Sequence, residues 1–135
     1  MSTFDLVDDF FCAVCEMPEK ELDGASRALV DVWHSFGVIE SGGFHGYLCS
    51  VGPRALTTAK RYRTVGLNRC SDLITSAHDL WRKYWPDPDP ADSDPDTFRA
   101  RFGTEQDRIE EEFYGTEDEI AEKLAQVVRA QQNTG

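Results

Sequence analysis

Apolar residues recur every three or four positions along most of this chain, which is the spacing of one face of an amphipathic helix. The longest such run precedes a pair of glycines and contains Leu22, Ala25, Leu29, Val32, Trp33, Phe36 and Ile39. No segment of the sequence alternates convincingly between apolar and polar residues, as a half-buried strand does. The pattern therefore predicts a single all-α domain over residues 1–135, built from five to seven loosely bundled helices.

The long apolar run ends at a glycine turn, Ser41-Gly42-Gly43, and Phe44 begins a further aromatic segment. Glycine has no Cβ and readily adopts the left-handed backbone conformation that ends many helices. We therefore predict that the helix stops at this turn. A short helix or turn over residues 44–49 is expected to fold back onto the same core.

Capping side chains and one proline mark the other predicted helix starts, which are Ser2 or Thr3, Pro53, Asn68 or Ser71, Thr104 and Thr116. Gly66 is expected to end the helix that Pro53 begins. Residues 86–97, PDPDPADSDPDT, form an acidic connector rich in proline and aspartate. Because proline lacks an amide donor and like charges repel, we expect no regular element there.

The chain is strongly negative, and its charge is unevenly distributed. It has 25 acidic and 14 basic side chains, for a formal net charge of −11. Residues 1–40 carry nine acids and two bases, residues 41–85 two acids and seven bases, and residues 86–135 fourteen acids and five bases. Such a field repels nucleic acid and anionic membranes overall and attracts basic partners.

No apolar run reaches the roughly 18 residues that a membrane-spanning helix needs. Aspartates also stand near the N-terminus where a signal peptide carries positive charge, so we expect a cytoplasmic protein. In that compartment the four cysteines, Cys12, Cys15, Cys49 and Cys70, are expected to be reduced and buried. Cys12 and Cys15 have the CxxC spacing of redox and metal sites, but an amphipathic helix without a second pair favours a structural role.

Several short motifs together resemble the bacterial DNA-mimic protein nineteen family, otherwise known as a domain of unknown function. They comprise a helix with Trp33, the segment Glu40-Ser41-Gly42-Gly43-Phe44-His45-Gly46-Tyr47, Pro53 to Leu56, Val65-Gly66-Leu67, and Glu110 to Tyr114. Ser41 stands where such proteins usually have asparagine, and Leu48 stands where an aromatic residue is common. The resemblance covers roughly residues 20–130. It implies an all-helical fold, and at least one type of member is a DNA mimic that occupies the DNA-binding surface of a repressor.

Carboxylates of the C-terminal third are spaced so that they can form a row on the helix surface. Residues three or four apart on a helix have Cβ atoms about 5–6 Å apart, and duplex DNA presents about one charge per 1.7 Å of axis. A dense acidic row can therefore imitate a phosphate path, although charge runs are often only solvated surface. The candidate partner-binding residues are Glu105, Asp107, Glu110, Glu111, Asp118, Glu119 and Glu122.

Basic residues flanking Gly66 support an alternative interpretation, direct DNA binding. Lys60, Arg61, Arg63 and Arg69 lie on either side of this turn between two predicted helices, as in a helix-turn-helix. Against it, the net charge of −11 favours pairing of these bases with acids of the same chain.

Three further interpretations concern a metal, catalysis and a pocket. Asp92, Asp94 and Asp96 have the first spacings of a calcium loop, but Thr97 stands where that loop needs glycine. His45 is the candidate for an enzyme, although no recognised catalytic motif accompanies it. The aromatics Trp33, Phe44, Tyr47, Trp81 and Trp85 are expected in the core, with a small apolar pocket at the turn as the lesser alternative.

These patterns favour an acidic protein-binding module over an enzyme. We expect a DNA mimic that blocks a basic DNA-binding regulator, or alternatively an immunity-type protein that neutralises a basic toxin. Neither function requires a cofactor, a metal, a membrane or direct contact with nucleic acid. Both are compatible with a monomer or a homodimer.

Overall fold

The structure is a computed structural model and describes residues 2–17, 23–84 and 95–134. Within these residues every regular element is an α-helix, so the predicted all-α class is confirmed. The elements are α1 (Thr3–Cys15), α2 (Gly24–Val51), α3 (Arg54–Thr64), α4 (Asn68–Tyr84), α5 (Pro95–Tyr114) and α6 (Glu117–Thr134). They form a single compact domain.

Side-chain caps begin the first two helices. The Ser2 hydroxyl accepts a hydrogen bond from the Asp5 amide at 3.1 Å, which confirms the predicted start of α1. The Asp23 carboxylate accepts from the Ser26 amide at 2.7 Å and begins α2. This hydrogen bond is the main reason that the pKa of Asp23 lies below its usual value.

The predicted helix stop at Ser41-Gly42-Gly43 is instead a bend inside α2. Only Gly43 departs from helical geometry, with φ 71° and ψ 176°, whereas Gly42 keeps the helical conformation. We predicted the left-handed helical conformation, but Gly43 instead combines a positive φ with an extended ψ. This region of φ/ψ space is accessible almost only to glycine. The break does restart the helix at Phe44, and counting the two halves of α2 separately gives seven helical segments in the described residues.

The turn at Gly66 ends α3 as predicted, by a Schellman motif. Gly66 has φ 87°, its amide donates to the Arg63 carbonyl at 3.1 Å, and the Leu67 amide donates to the Tyr62 carbonyl at 2.9 Å. These two bonds satisfy carbonyls that the helix end would otherwise leave unpaired. They place α3 and α4 close together, and this pair makes the most extensive helix contact.

The start of α5 differs from the prediction. The helix begins at Pro95, so residues 95–97 are not part of an irregular connector and Thr104 lies inside the helix rather than at its start. Proline is tolerated in the first turn of a helix, where its missing amide has no partner to lose. Residues 86–94 of the predicted connector lie outside the described residues.

Thr116 immediately precedes α6, as predicted, and is buried. Its hydroxyl donates to the Phe113 carbonyl and accepts from the Cys70 thiol at 3.3 Å. This one side chain therefore connects the end of α5, the start of α6 and helix α4.

Phe113 lies at the centre of the core and is fully buried. Its ring is 5.9 Å from the Phe36 ring, 5.2 Å from the Phe44 ring and 6.1 Å from the Tyr62 ring. These contacts join α5 to both halves of α2 and to α3. Burial of a large aromatic side chain is a major contribution to core stability.

The aromatic residues that were predicted in the core are buried wherever the structure describes them. Trp33, Phe44, Tyr47 and Trp81 are each at most 7% exposed, and Trp85 lies outside the described residues. Tyr62 is also buried, and its hydroxyl is 2.8 Å from the Ser35 hydroxyl and donates to the Val32 carbonyl at 3.2 Å. Burial therefore raises the pKa of Tyr62 far above its usual value.

Substituting Gly43→Ala is expected to lower the free energy of unfolding by about 1–3 kcal/mol, because alanine is strained in this backbone region. The added Cβ would also lie 2.7 Å from Glu110 Oε1. Gly42→Ala is the matched control, since Gly42 is helical and nothing lies within 4 Å of the added Cβ. That variant should be neutral or more stable by up to about 1 kcal/mol. Chemical denaturation of both variants tests the bend, and equal effects would contradict it.

Candidate functional site

The predicted partner-binding carboxylates lie on α5 and α6. Six of them are exposed, namely Glu105, Asp107, Glu111, Asp118, Glu119 and Glu122. Asp107 and Glu111 are one helical turn apart on α5, and Asp118 and Glu122 are one turn apart on α6. We call these six residues the acidic surface. Their contact with a partner stays a prediction.

The seventh predicted residue, Glu110, is partly buried and is bound within the chain. Its Oε1 accepts a hydrogen bond from the Phe44 amide at 2.8 Å and another from Gln106 Nε2 at 3.1 Å. Because Gly43 breaks the helix, the Phe44 amide is one of the unpaired donors at the start of the second half of α2. Glu110 therefore caps this half of α2 from another helix.

This cap was missed in the sequence because it joins positions 66 residues apart. A signal for it did exist, since a glycine break inside a helix leaves an amide that needs an acceptor. The identity of the acceptor depends on which turn of α5 lies against the bend, and residue spacing does not supply that information.

A second hydrogen bond joins α5 to α2 on the other side of the bend. The Tyr114 hydroxyl donates to the Ile39 carbonyl at 3.2 Å. Burial, with the nearby charges of Glu110 and Glu40, raises the pKa of Tyr114. Because Glu110 and Tyr114 are one turn apart on α5, that helix binds both halves of α2 through adjacent side chains.

Most of the acidic surface is not engaged by the basic residues around Gly66. Arg61 pairs with Asp31 at 3.2 Å and Arg63 pairs with Asp72 at 2.7 Å, and both acids lie outside the acidic surface. Within it, Glu122 is 3.6 Å from Arg129. Both side chains of this pair are about half exposed, so a partner can displace the arginine at small cost.

Glu112 fixes α5 against α4. It lies 2.9 Å from Arg69 of α4 and 3.6 Å from Arg108 on its own helix. Glu112 is only partly exposed, so it contributes to the position of α5 rather than to the acidic surface. The pair also uses one of the four bases that the helix-turn-helix interpretation requires.

Three of those four bases are therefore within ion-pair distance of a carboxylate of the same chain. Arg61, Arg63 and Arg69 pair with α2, α4 and α5 respectively. Because these side chains are partly exposed, such pairs can be displaced at small cost, and direct DNA binding stays an alternative prediction.

The first turns of α1 and α6 lie side by side, which the sequence did not indicate. Ser2, Thr3 and Phe4 line a cleft of about 480 Å³ together with Glu117, Asp118 and Glu122. At the other end of the same two helices, Phe10 and Val14 line a second cleft with Gln131 and Gln132. The helices thus run parallel, and the exposed Asp5 in the first turn of α1 lies at the same end of the molecule as the α6 acids.

A groove of about 740 Å³ lies along α2 beside the bend. Trp33, Val38, Gly42, Gly46 and Tyr47 contribute to its walls. It corresponds in place to the small apolar pocket that was the lesser alternative at the turn.

The prediction of four buried cysteines is wrong. Only Cys70 is buried, whereas Cys12, Cys15 and Cys49 are exposed and form no disulfide. The reason is the rotation of each helix, since Cys12 and Cys15 lie on the exposed side of α1 while Cys70 faces Thr116. The pKa of Cys15 is raised by burial and then by the neighbouring Cys12.

The calcium and enzyme interpretations stay predictions, because the side chains that carry them lie outside the described part of the chain. Asp92 and Asp94 lie outside the described residues, and so do the side chains of Asp96 and His45. Among the residues that are described, no group of three or more His, Cys, Asp or Glu side chains is placed to hold a metal ion.

None of the described helices is both long enough and apolar enough to cross a membrane.

Comparison with known proteins matches residues 20–131 to a family model described as DMP19-like protein. No curated protein matches the chain, and no solved structure does. The match covers the bend, the aromatic core and the acidic surface.

A thiol titration of the native protein is expected to detect three accessible cysteines, and a fourth only after denaturation. Cys70 is 0% exposed, and its thiol donates to Thr116. Labelling should accelerate with rising pH, because the thiolate reacts and the pKa values of Cys15 and Cys49 are raised by burial. In the control variant Cys70→Ser the native count should stay at three. Four thiols reacting at once in the native wild type would contradict the placement of α4.

Proposed function

The chain belongs to the DMP19-like protein family, and from this premise we propose that it is an acidic protein-binding module that acts as a DNA mimic. In this proposal the acidic surface docks onto the nucleic-acid-binding surface of a basic regulator and blocks it. The observation that carries the proposal is the exposure of six carboxylates on α5 and α6, two helices that follow each other in the chain.

The spacing of these carboxylates supports the proposal. Asp107 with Glu111, and Asp118 with Glu122, are helical neighbours whose Cβ atoms are about 5–6 Å apart. Each strand of duplex DNA carries its phosphates more densely, about one per 3.4 Å of helix axis, so these carboxylates form a sparser row of the same sign. A basic groove that binds phosphates would therefore meet several carboxylates at once.

The rigidity of the surface also supports the proposal. Ile109 and Phe113 of α5 are buried in the core, so the opposite side of the helix is held in place. The Arg69–Glu112 pair and the Tyr114 hydroxyl add two further contacts to neighbouring helices. Fixed charges lose less conformational entropy on binding than mobile ones.

Electrostatics would set the partner and the rate of association more than the affinity. Residues 86–135 carry fourteen acids and five bases, so a basic protein is attracted and free nucleic acid is repelled. The mechanism needs no cofactor and no catalytic side chain, and it holds for a monomer or a homodimer.

Capture from the source cell followed by competition with DNA tests the proposal. The immobilised full chain should retain a basic DNA-binding protein at low salt and release it as salt rises, because screening weakens the attraction. With the purified partner, increasing amounts of its DNA should displace the chain completely. Simultaneous binding of DNA and the chain to that partner would show that mimicry is wrong. Capture of a basic toxin that does not bind DNA would instead support the immunity-type alternative.

Reversing two charges of the acidic surface is expected to weaken partner binding at least about tenfold, which corresponds to about 1.4 kcal/mol. The variant carries Asp107→Lys and Glu111→Lys, and both residues are exposed, so the fold should be retained. The matched control carries Asp9→Lys and Glu16→Lys, which make the same change in charge at two exposed positions outside the acidic surface. Isothermal titration of both variants at one salt concentration provides the measurement. Equal weakening by the control would mean that net charge, rather than this surface, controls binding.

A further inference from the structure

Glu110 connects the helix of the acidic surface with the bend in α2. We propose that Glu110 is a latch: a cationic side chain of a bound partner draws its carboxylate away from the Phe44 amide and so changes the shape of the bend. This inference rests on the proposed function, because it requires a basic partner on α5. It adds a conformational response that the docking model does not need.

The position of Glu110 makes it accessible from the acidic surface. It is partly exposed and follows Asp107 by three residues, so the two side chains lie on the same side of α5. A basic group that pairs with Asp107 is thus about one helical turn from the Glu110 carboxylate. Glu111, the next residue, is exposed and provides a comparison that lacks the hydrogen bond to α2.

Competition for the carboxylate is energetically reasonable. Its present donors are two neutral groups, the Phe44 amide at 2.8 Å and the Gln106 amide at 3.1 Å. In a bond between a guanidinium or ammonium group and this carboxylate, both the donor and the acceptor are charged. Such a bond is stronger than one from a neutral amide. The released Phe44 amide would then lose its acceptor at the start of a helical segment.

The response would be confined to the bend and its surroundings. Phe44 and Leu48 are each about 1% exposed, so burial keeps the second half of α2 on the core. The Tyr114 hydroxyl holds the first half through the Ile39 carbonyl. The change therefore falls on Gly43 and on the adjacent groove, which Gly42 and Gly46 line.

Amide hydrogen exchange measured by NMR on the full chain tests the latch. Glu110→Ala removes the acceptor and should accelerate exchange of the Phe44 amide at least about tenfold, in line with hydrogen bonds to charged groups. Glu111→Ala is the matched control and should change this rate by less than about twofold. The Val128 amide in α6 reports whether either variant has lost its overall fold.

A deca-arginine peptide at low salt then serves as the basic probe. Its binding should accelerate Phe44 exchange several-fold in the wild type and leave the already fast rate of Glu110→Ala unchanged. If Glu110→Ala does not alter Phe44 exchange, or if the peptide binds without altering it in the wild type, the latch is wrong while the docking surface stands. If the peptide does not bind the wild type at all, the proposed function itself fails, whatever the variant shows.

Discussion

The break of α2 at Gly43, which the hydrogen bond between the Phe44 amide and Glu110 satisfies, is the constraint that joins α2 to α5. A helix that breaks at Gly43 leaves an amide without an acceptor, and an unpaired buried amide costs about as much as a lost hydrogen bond. Glu110 supplies the acceptor at 2.8 Å, and Tyr114 on the next turn binds the carbonyl of Ile39. Helix α5 is thereby fixed along both halves of α2.

The same helix performs two tasks on its two sides. Phe113 faces inward, where three aromatic rings from α2 and α3 surround it, while Asp107 and Glu111 face solvent. Because the inner side is held by packing, the outer charges keep a defined spacing. This division explains how a domain of net charge −11 can expose these acids and still hold a well-packed core.

Several features could be predicted because their causes are local. The glycine at position 66 ends α3 by a motif that involves only neighbouring residues, and Ser2 caps α1 through an amide three residues away. The start of α5 was misplaced because Thr104 has the side chain of a cap and the preceding segment is rich in proline. A proline at position 95 is compatible with the first turn of a helix as well as with an irregular connector. Composition alone therefore did not decide where α5 begins.

The sequence by itself determined the all-helical class, the aromatic core, the glycine break and the concentration of acids in the last third, because periodicity, glycine conformation and charge are properties of the chain. Tertiary structure alone decided which acids are exposed and which are used internally. Glu110 and Glu111 are adjacent and chemically equal, yet one binds the α2 bend and the other faces solvent. The difference arises because contacts between distant residues depend on the rotation and packing of whole helices, which a single sequence does not encode as a local pattern.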